Sequence, residues 1–163
     1  MAPGEKYWSV LDPVWDTINI DTPDVFAQTF GVIPRSIGLL YAAHFCQSEV
    51  CNGGFTQFFW NSTGVLAPEA VEGFVAIGQA KVANVVQRAI NMLGVPFQRD
   101  RAARWRALDA LPGEPARDVQ PGLPSYRNIA LFGPLEDEFY SLLASEAGGF
   151  ENAADAYAAG ISG

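Results

Sequence analysis

Apolar positions recur at helical spacing along most of the chain. The clearest stretch covers residues 79–93, where the spacing follows the 3.6-residue period of an α-helix. Its apolar side chains are Val82, Val85, Val86, Ala89, Ile90 and Leu93. Gly94 and Pro96 follow in the order that is typical of a helix end. Since no segment shows a convincing alternation of apolar and polar residues, the pattern predicts an all-α protein.

Glycine and proline divide the chain into separate helices. Thr22 before Pro23 is a favourable N-cap followed by proline at the first helical position. Asn52-Gly53-Gly54 suits a left-handed helix end. The predicted helices cover residues 23–31, 34–52, 55–60, 68–77, 79–93, 99–111, 134–147 and 150–159. We expect a single compact multi-helix domain that is not a simple four-helix bundle.

The length of 163 residues fits one domain with one hydrophobic core. Composition divides it into an N-terminal helical extension (1–33), motif-bearing core helices (34–111), a connector (112–125) and C-terminal acidic helices (126–163). Residues 112–124 contain four prolines and two glycines, so we expect the connector to be irregular. No secretory signal and no membrane span is visible. Two unpaired cysteines and the lack of a visible signal together favour a reducing, cytoplasmic location.

The net charge of −8 is unevenly distributed. Both ends of the chain are acidic, and the middle is basic because of Arg99, Arg101, Arg104 and Arg106. These arginines do not share one helical face, so we interpret them as a solvated helix surface, with a ligand or partner contact as the alternative. Because phosphate neutralisation needs clustered basic residues, direct nucleic-acid binding is disfavoured.

The acidic ends suit either solubility or a basic partner protein. The predicted partner-binding acids are Glu136, Asp137, Glu138, Glu151 and Asp155, with Glu69 and Glu72 behind them. Consecutive carboxylates at 136–138 point in different directions on a helix, so they do not predict a paired catalytic site.

Catalytic and metal-binding signatures are weak. Cys46 and Cys51 are too far apart on one helix for a disulfide. The single histidine, His44, provides no Cys/His metal set and is expected to be a satisfied core or edge group. We therefore expect no metal and no cofactor, and a non-catalytic role is favoured over an enzymatic one.

One segment places polar residues among aromatic ones: Glu49, Asn52, Gln57 and Asn61. In the structural interpretation, Glu49 accepts from backbone N–H groups of the glycine turn, and the two later amides bond carbonyls or each other. In the alternative, the carboxylate and amides line a pocket for a small polar ligand or for hydrolysis, with Glu49 as the orienting or basic group. The structural interpretation is the stronger one.

The same segment resembles a known family. Its pattern is Glu49-x-x-Asn52-Gly53-Gly54-Phe55-x-Gln57-Phe58-Phe59-x-Asn61, and a later segment reads Leu135-Glu136-Asp137-Glu138-Phe139-Tyr140. Together these are similar to the bacterial DNA-mimic-protein family, formerly a domain of unknown function, over about residues 35–160. The resemblance implies an all-α fold, dimers, and a surface like that of duplex DNA that occupies the DNA-binding face of a transcription regulator. The matched positions are interpreted as fold-defining: Glu49, Asn52, Gly53, Gly54, Phe55, Gln57, Phe58 and Asn61.

Overall fold

The computed structural model describes residues 1–115 and 127–162, and α-helices dominate these segments. The helices are α1 (Glu5–Leu11), α2 (Pro23–Gly31), α3 (Arg35–Trp60), α4 (Ala67–Ala76), α5 (Ala80–Met92), α6 (Arg101–Ala110), α7 (Gly133–Ser145) and α8 (Phe150–Ser162). Single 3₁₀ segments lie at Asp12–Val14, Ser62–Leu66, Ala130–Phe132 and Glu146–Gly148. The predicted all-α class is confirmed.

One short strand pair departs from the purely helical prediction. The strand β1 (Glu114–Pro115) pairs antiparallel with β2 (Arg127–Asn128). Strands of two residues are too short to produce a visible alternation of apolar and polar positions. Residues 116–126, which make up most of the predicted connector, lie outside the described part of the chain.

Helix α3 is kinked where the sequence predicts a helix end. The backbone leaves helical geometry at Gly53 (φ −150°, ψ 20°) and Gly54 (φ 75°, ψ −176°), and helix resumes through Trp60. A positive φ strongly favours glycine, which has no Cβ to collide with the backbone. The interpretation of residues 55–60 as a separate helical segment is therefore confirmed.

The core is built around α3. This helix packs against α4 and α6, α4 packs against α5, and α5 packs against α7. Six phenylalanines are completely buried there: Phe55, Phe58, Phe59, Phe74, Phe132 and Phe139. Burying side chains of this size provides much of the hydrophobic stabilisation of a small domain.

Helix α1 is attached to α8 through one carboxylate. Asp155 accepts hydrogen bonds from the backbone N–H groups of Gly4, at 2.7 Å, and Tyr7, at 2.9 Å. These amides belong to the first turn of α1, which has no helical acceptor for them. Asp155 therefore stabilises the start of α1 while joining two distant parts of the sequence. Among the described residues, no helix has the length and apolar character needed to cross a membrane.

Candidate functional site

The polar residues of the predicted motif do meet, and Glu49 is at their centre. Its Oε2 accepts from Gln57 Nε2 at 2.7 Å and from Asn61 Nδ2 at 3.1 Å, and its Oε1 accepts from Thr63 Oγ1 at 3.2 Å. Asn52 Nδ2 donates to Gln57 Oε1 at 3.1 Å. The result is a connected network in which each amide has a defined orientation.

This network corrects the expectation about the donors to Glu49. The donors are side chains from the next helical segment and the following turn, because the kink turns that segment back toward Glu49. Gln57 and Asn61 do not bond each other but converge on the same oxygen. Since both carboxylate oxygens of Glu49 are occupied by donors within the protein, the geometry favours a structural role for this cluster.

The two glycines make room for the network and for a second motif. An added Cβ at Gly53 would lie 1.9 Å from Gln57 Oε1, and one at Gly54 would lie 2.4 Å from Glu136 Oε2. Glu136 also accepts a hydrogen bond from the backbone N–H of Phe55. Burial raises the pKa of Glu136, with a further rise from Asp137, and the Phe55 N–H opposes both.

The second motif packs directly on the kink. Tyr140 donates from its hydroxyl to the carbonyl of Val50 at 2.9 Å. The rings of Phe139 and Phe55 meet edge to face with their centroids 5.6 Å apart. The two sequence segments that carry the family resemblance are therefore in contact, a relationship that spacing along the chain does not reveal.

Arg104 contradicts the prediction of a solvated arginine surface. It is 2% exposed, and its guanidinium donates to the carbonyls of Phe59, Arg99 and Asn61. Burial, with a smaller contribution from Arg101, lowers its pKa to about 10. The carbonyls of Phe59 and Asn61 lie at the C-terminal end of α3, where helical acceptors lack partners. The guanidinium supplies the missing donors.

Two neighbours complete this C-terminal cap. Arg101 Nε and Trp105 Nε1 both donate to the carbonyl of Trp60, at 3.0 and 2.9 Å. The rings of Trp60 and Trp105 stack with centroids 5.0 Å apart. Arg101, Arg104 and Trp105 therefore supply the hydrogen-bond donors that the carbonyls at the C-terminal end of α3 need.

The predicted position of Glu69 on the acidic surface is wrong. Glu69 is buried and forms a two-bond ion pair with Arg99, at 2.8 and 2.7 Å. A carboxylate is stable in this position because the planar guanidinium satisfies both of its oxygens. Because Glu69 and Arg99 neutralise each other, neither contributes an unpaired charge to the protein surface.

The other predicted surface acids divide into paired and unpaired groups. Glu72 pairs with Arg35, and Glu138 pairs with Arg88. Asp155 is engaged at the start of α1, as described above. Asp137 and Glu151 are exposed and take part in no ion pair among the described residues.

Sequence reasoning did not name the acids near the N-terminus individually. Glu5, Asp12, Asp16 and Asp24 are all exposed, and none is in an ion pair with another described residue. These four residues are called the N-terminal acidic surface below. In the sequence, the signal that indicates this surface is the excess of acidic over basic residues in residues 1–33.

His44 occupies an aromatic enclosure, which confirms its prediction as a core or edge group. Its Nδ1 lies 3.4 Å from the Tyr7 hydroxyl, and the rings of Trp8 and Trp15 lie against it with centroids 4.7 and 5.8 Å away. Burial lowers the pKa of His44 to about 4. In residues 1–115 and 127–162, no three His, Cys, Asp or Glu side chains are grouped as metal ligands.

Comparison with known proteins gives one match. A family model described as DMP19-like protein matches residues 33–160, which include the kink motif and the α7 motif. No curated protein and no solved structure matches the chain. The family match confirms the resemblance to DNA-mimic proteins that the two motifs predict.

Proposed function

The chain belongs to the DMP19-like protein family, and from this premise we propose that it is a non-catalytic acidic protein that binds a basic DNA-binding protein. The binding replaces DNA on the partner, which is a transcription regulator or another protein with a positively charged groove. The proposal includes a homodimer, as the family resemblance implies, and a cytoplasmic location, as the two unpaired cysteines favour.

The observation that carries this proposal is the different placement of acids and bases. Arg104 is buried, and Arg35, Arg88 and Arg99 are each paired with a carboxylate. Arg99 and Arg104, two of the four arginines that make the middle of the sequence basic, are therefore engaged by contacts within the fold, which reduces the positive charge at the surface. The N-terminal acidic surface, with Asp137 and Glu151, keeps its charges exposed.

Exposed carboxylates of this kind act on a basic partner in the way phosphates do. Duplex DNA carries one charge per about 1.7 Å of its axis, and a DNA-binding groove is lined with Lys and Arg to neutralise that charge. A negatively charged protein surface attracts the same groove, and electrostatic steering accelerates the encounter. Such a complex weakens as salt increases because exposed charges are screened.

A gel-shift competition tests the proposal. The protein is titrated into complexes of purified DNA-binding regulators with their operator DNA, at several salt concentrations. We expect release of DNA from at least one regulator, with less release at higher salt. The double variant Asp12→Asn, Asp16→Asn should weaken competition by roughly three- to tenfold, because each exposed pair with the partner is worth about 0.2–1 kcal/mol.

The matched control removes the same amount of charge from acids that are already paired. The double variant Glu72→Gln, Glu138→Gln frees Arg35 and Arg88 but leaves the N-terminal acidic surface intact. It should compete within about twofold of the unmodified protein. An equal loss in both double variants, or no release of DNA from any regulator, contradicts the proposal.

A further inference from the structure

A groove lies between α3, α7 and the beginning of α8, and Tyr7 of α1 closes one end. Its volume is about 410 Å³, within the range of sites that bind small groups in proteins. Aromatic rings and polar side chains share its walls. The lining residues that matter here are Tyr7, Gln47, Tyr140, Leu143, Phe150 and Glu151.

The turn before α8 keeps the groove open. Gly148 and Gly149 have φ of 80° and 91°, and the preceding Ala147 also has a positive φ of 55°. Gly148 and Gly149 line the groove without side chains to fill it. The turn thus leaves space in a groove that Glu151 also lines.

The charge of the groove is negative. Glu151 is the one charged residue among those that line it. Burial, together with the nearby charges of Glu151 and Asp155, raises the pKa of Tyr7 to about 12. Tyr140 is held in place by its hydrogen bond to Val50. Aromatic rings and a carboxylate that line one groove are surroundings that attract an organic cation.

We propose that this groove binds an arginine side chain of the basic partner, an inference that rests on the proposed function. The guanidinium is placed at Glu151, which accepts its N–H groups, and stacks on the ring of Tyr140. The aliphatic part of the side chain packs on Leu143. Arginine fits better than lysine because its planar group stacks on aromatic rings and donates two parallel hydrogen bonds to a carboxylate.

The test uses Nα-acetyl-arginine-N-methylamide as the probe and ¹⁵N-labelled full-length protein observed by NMR. Titration should shift the backbone amide signals of Gly148, Gly149 and Glu151 with saturation. The citrulline analogue, which has nearly the same shape but no charge, should bind much more weakly. Absence of saturable shifts at these positions, or equal shifts with citrulline, overturns the proposal.

Substitutions at the lining residues test which side chains contact the arginine probe. Glu151→Gln should weaken binding of the arginine probe by roughly two- to fivefold, the effect of losing one exposed charge pair. Asp21→Asn removes the same charge from an exposed acid that does not line the groove and should leave binding unchanged. Tyr140→Leu should weaken binding by a similar two- to fivefold, and Tyr140→Phe, which keeps the ring, should retain it. Equal effects of Glu151→Gln and Asp21→Asn overturn the assignment to the groove.

Whether the groove binds an arginine of the partner protein is tested separately from the proposed function. If a regulator is identified by DNA release, Glu151→Gln should reduce that competition more than Asp21→Asn does. DNA release that is equally affected by the two variants leaves the proposed function intact and overturns the groove as a partner contact. Probe binding at the groove without DNA release from any regulator overturns the partner as the source and indicates a site for a free organic cation.

Discussion

Glu49 and Arg104 are opposite charges that share Asn61 as a hydrogen-bond partner, and the protein satisfies them in different ways. The Asn61 side chain donates to Glu49, and the Asn61 carbonyl accepts from Arg104. Glu49 takes its donors from side chains within fourteen residues. Two of the three carbonyls that Arg104 binds lie more than forty residues away.

The difference concerns what each group does for the fold. The Glu49 network fixes the orientation of side chains around a kink, and Glu49 is only partly buried. Arg104 is fully buried and satisfies backbone groups that a helix end leaves without partners. Loss of a network side chain can be compensated by water, whereas buried carbonyls without a donor keep their full desolvation cost.

The largest expected effect is therefore that of Arg104→Met, which preserves length but removes every donor. The variant should lower the free energy of unfolding by about 3–5 kcal/mol, because the carbonyls of Phe59, Arg99 and Asn61 lose their donors together. Urea denaturation followed by tryptophan fluorescence measures this. Arg106→Met is the control, since Arg106 is exposed on the same helix. A loss below about 1 kcal/mol would show that water replaces the guanidinium.

His44 extends the comparison of Glu49 and Arg104 to a third titratable group. It is buried among aromatic rings and has no charged partner among the described residues. Its pKa of about 4 in the folded protein lies below its ordinary value of 6.5, so the unfolded chain takes up the proton more readily. The contribution to stability is complete above pH 6.5 and is lost as the pH falls toward 4. The loss should reach about 3 kcal/mol.

Denaturant titrations at a series of pH values measure this contribution as a difference between two proteins. His44→Phe removes the titrating group and keeps an aromatic ring in the enclosure, so its stability should fall less between pH 6.5 and 4. His44→Gln serves the same purpose if the larger ring is not accommodated. Parallel pH curves for the unmodified protein and both variants would mean that folding leaves the pKa of His44 unchanged.

Glu49→Gln should have the smallest of the three effects, a loss of about 2 kcal/mol. The variant replaces a charged acceptor by an amide whose NH₂ group faces the donors of Gln57, Asn61 or Thr63. Thermal and urea unfolding measure the loss, and Glu72→Gln on an exposed ion pair is the matched control. If Glu49→Gln lowered the free energy of unfolding as much as Arg104→Met does, Glu49 and Arg104 would not differ in their contribution to stability.

Much of the fold is predictable because its signals are local. Glycine and proline mark the helix ends, and the kink at Gly53 and Gly54 follows from two adjacent glycines. Thr22 is the N-cap of α2 as its position before Pro23 predicts, with its hydroxyl accepting from the Val25 N–H. The grouping of Glu49 with Gln57 and Asn61 is predictable for the same reason, although the two amides donate to Glu49 and not, as expected, to carbonyls or to each other.

The remaining contacts depend on distant parts of the chain. Glu69 and Arg99 are thirty residues apart, and their pairing reverses the expectation that both are exposed. Arg104 belongs to a charged stretch whose composition is typical of a helix surface, so its burial follows only from the packing of α6 against α3. A buried charge or an unpaired carbonyl interacts with whichever groups the tertiary fold brings near. The spacing of residues along the sequence therefore does not predict such contacts.

The link between Asp155 and the first turn of α1 joins positions 151 residues apart in the sequence. During synthesis, α1 leaves the ribosome long before α8 exists, and until then its first amides have only water as acceptors. Completion of the fold at this seam is therefore a late event that closes a loop nearly as long as the chain. Glu5, in the same first turn of α1, takes its final position only when that seam has formed.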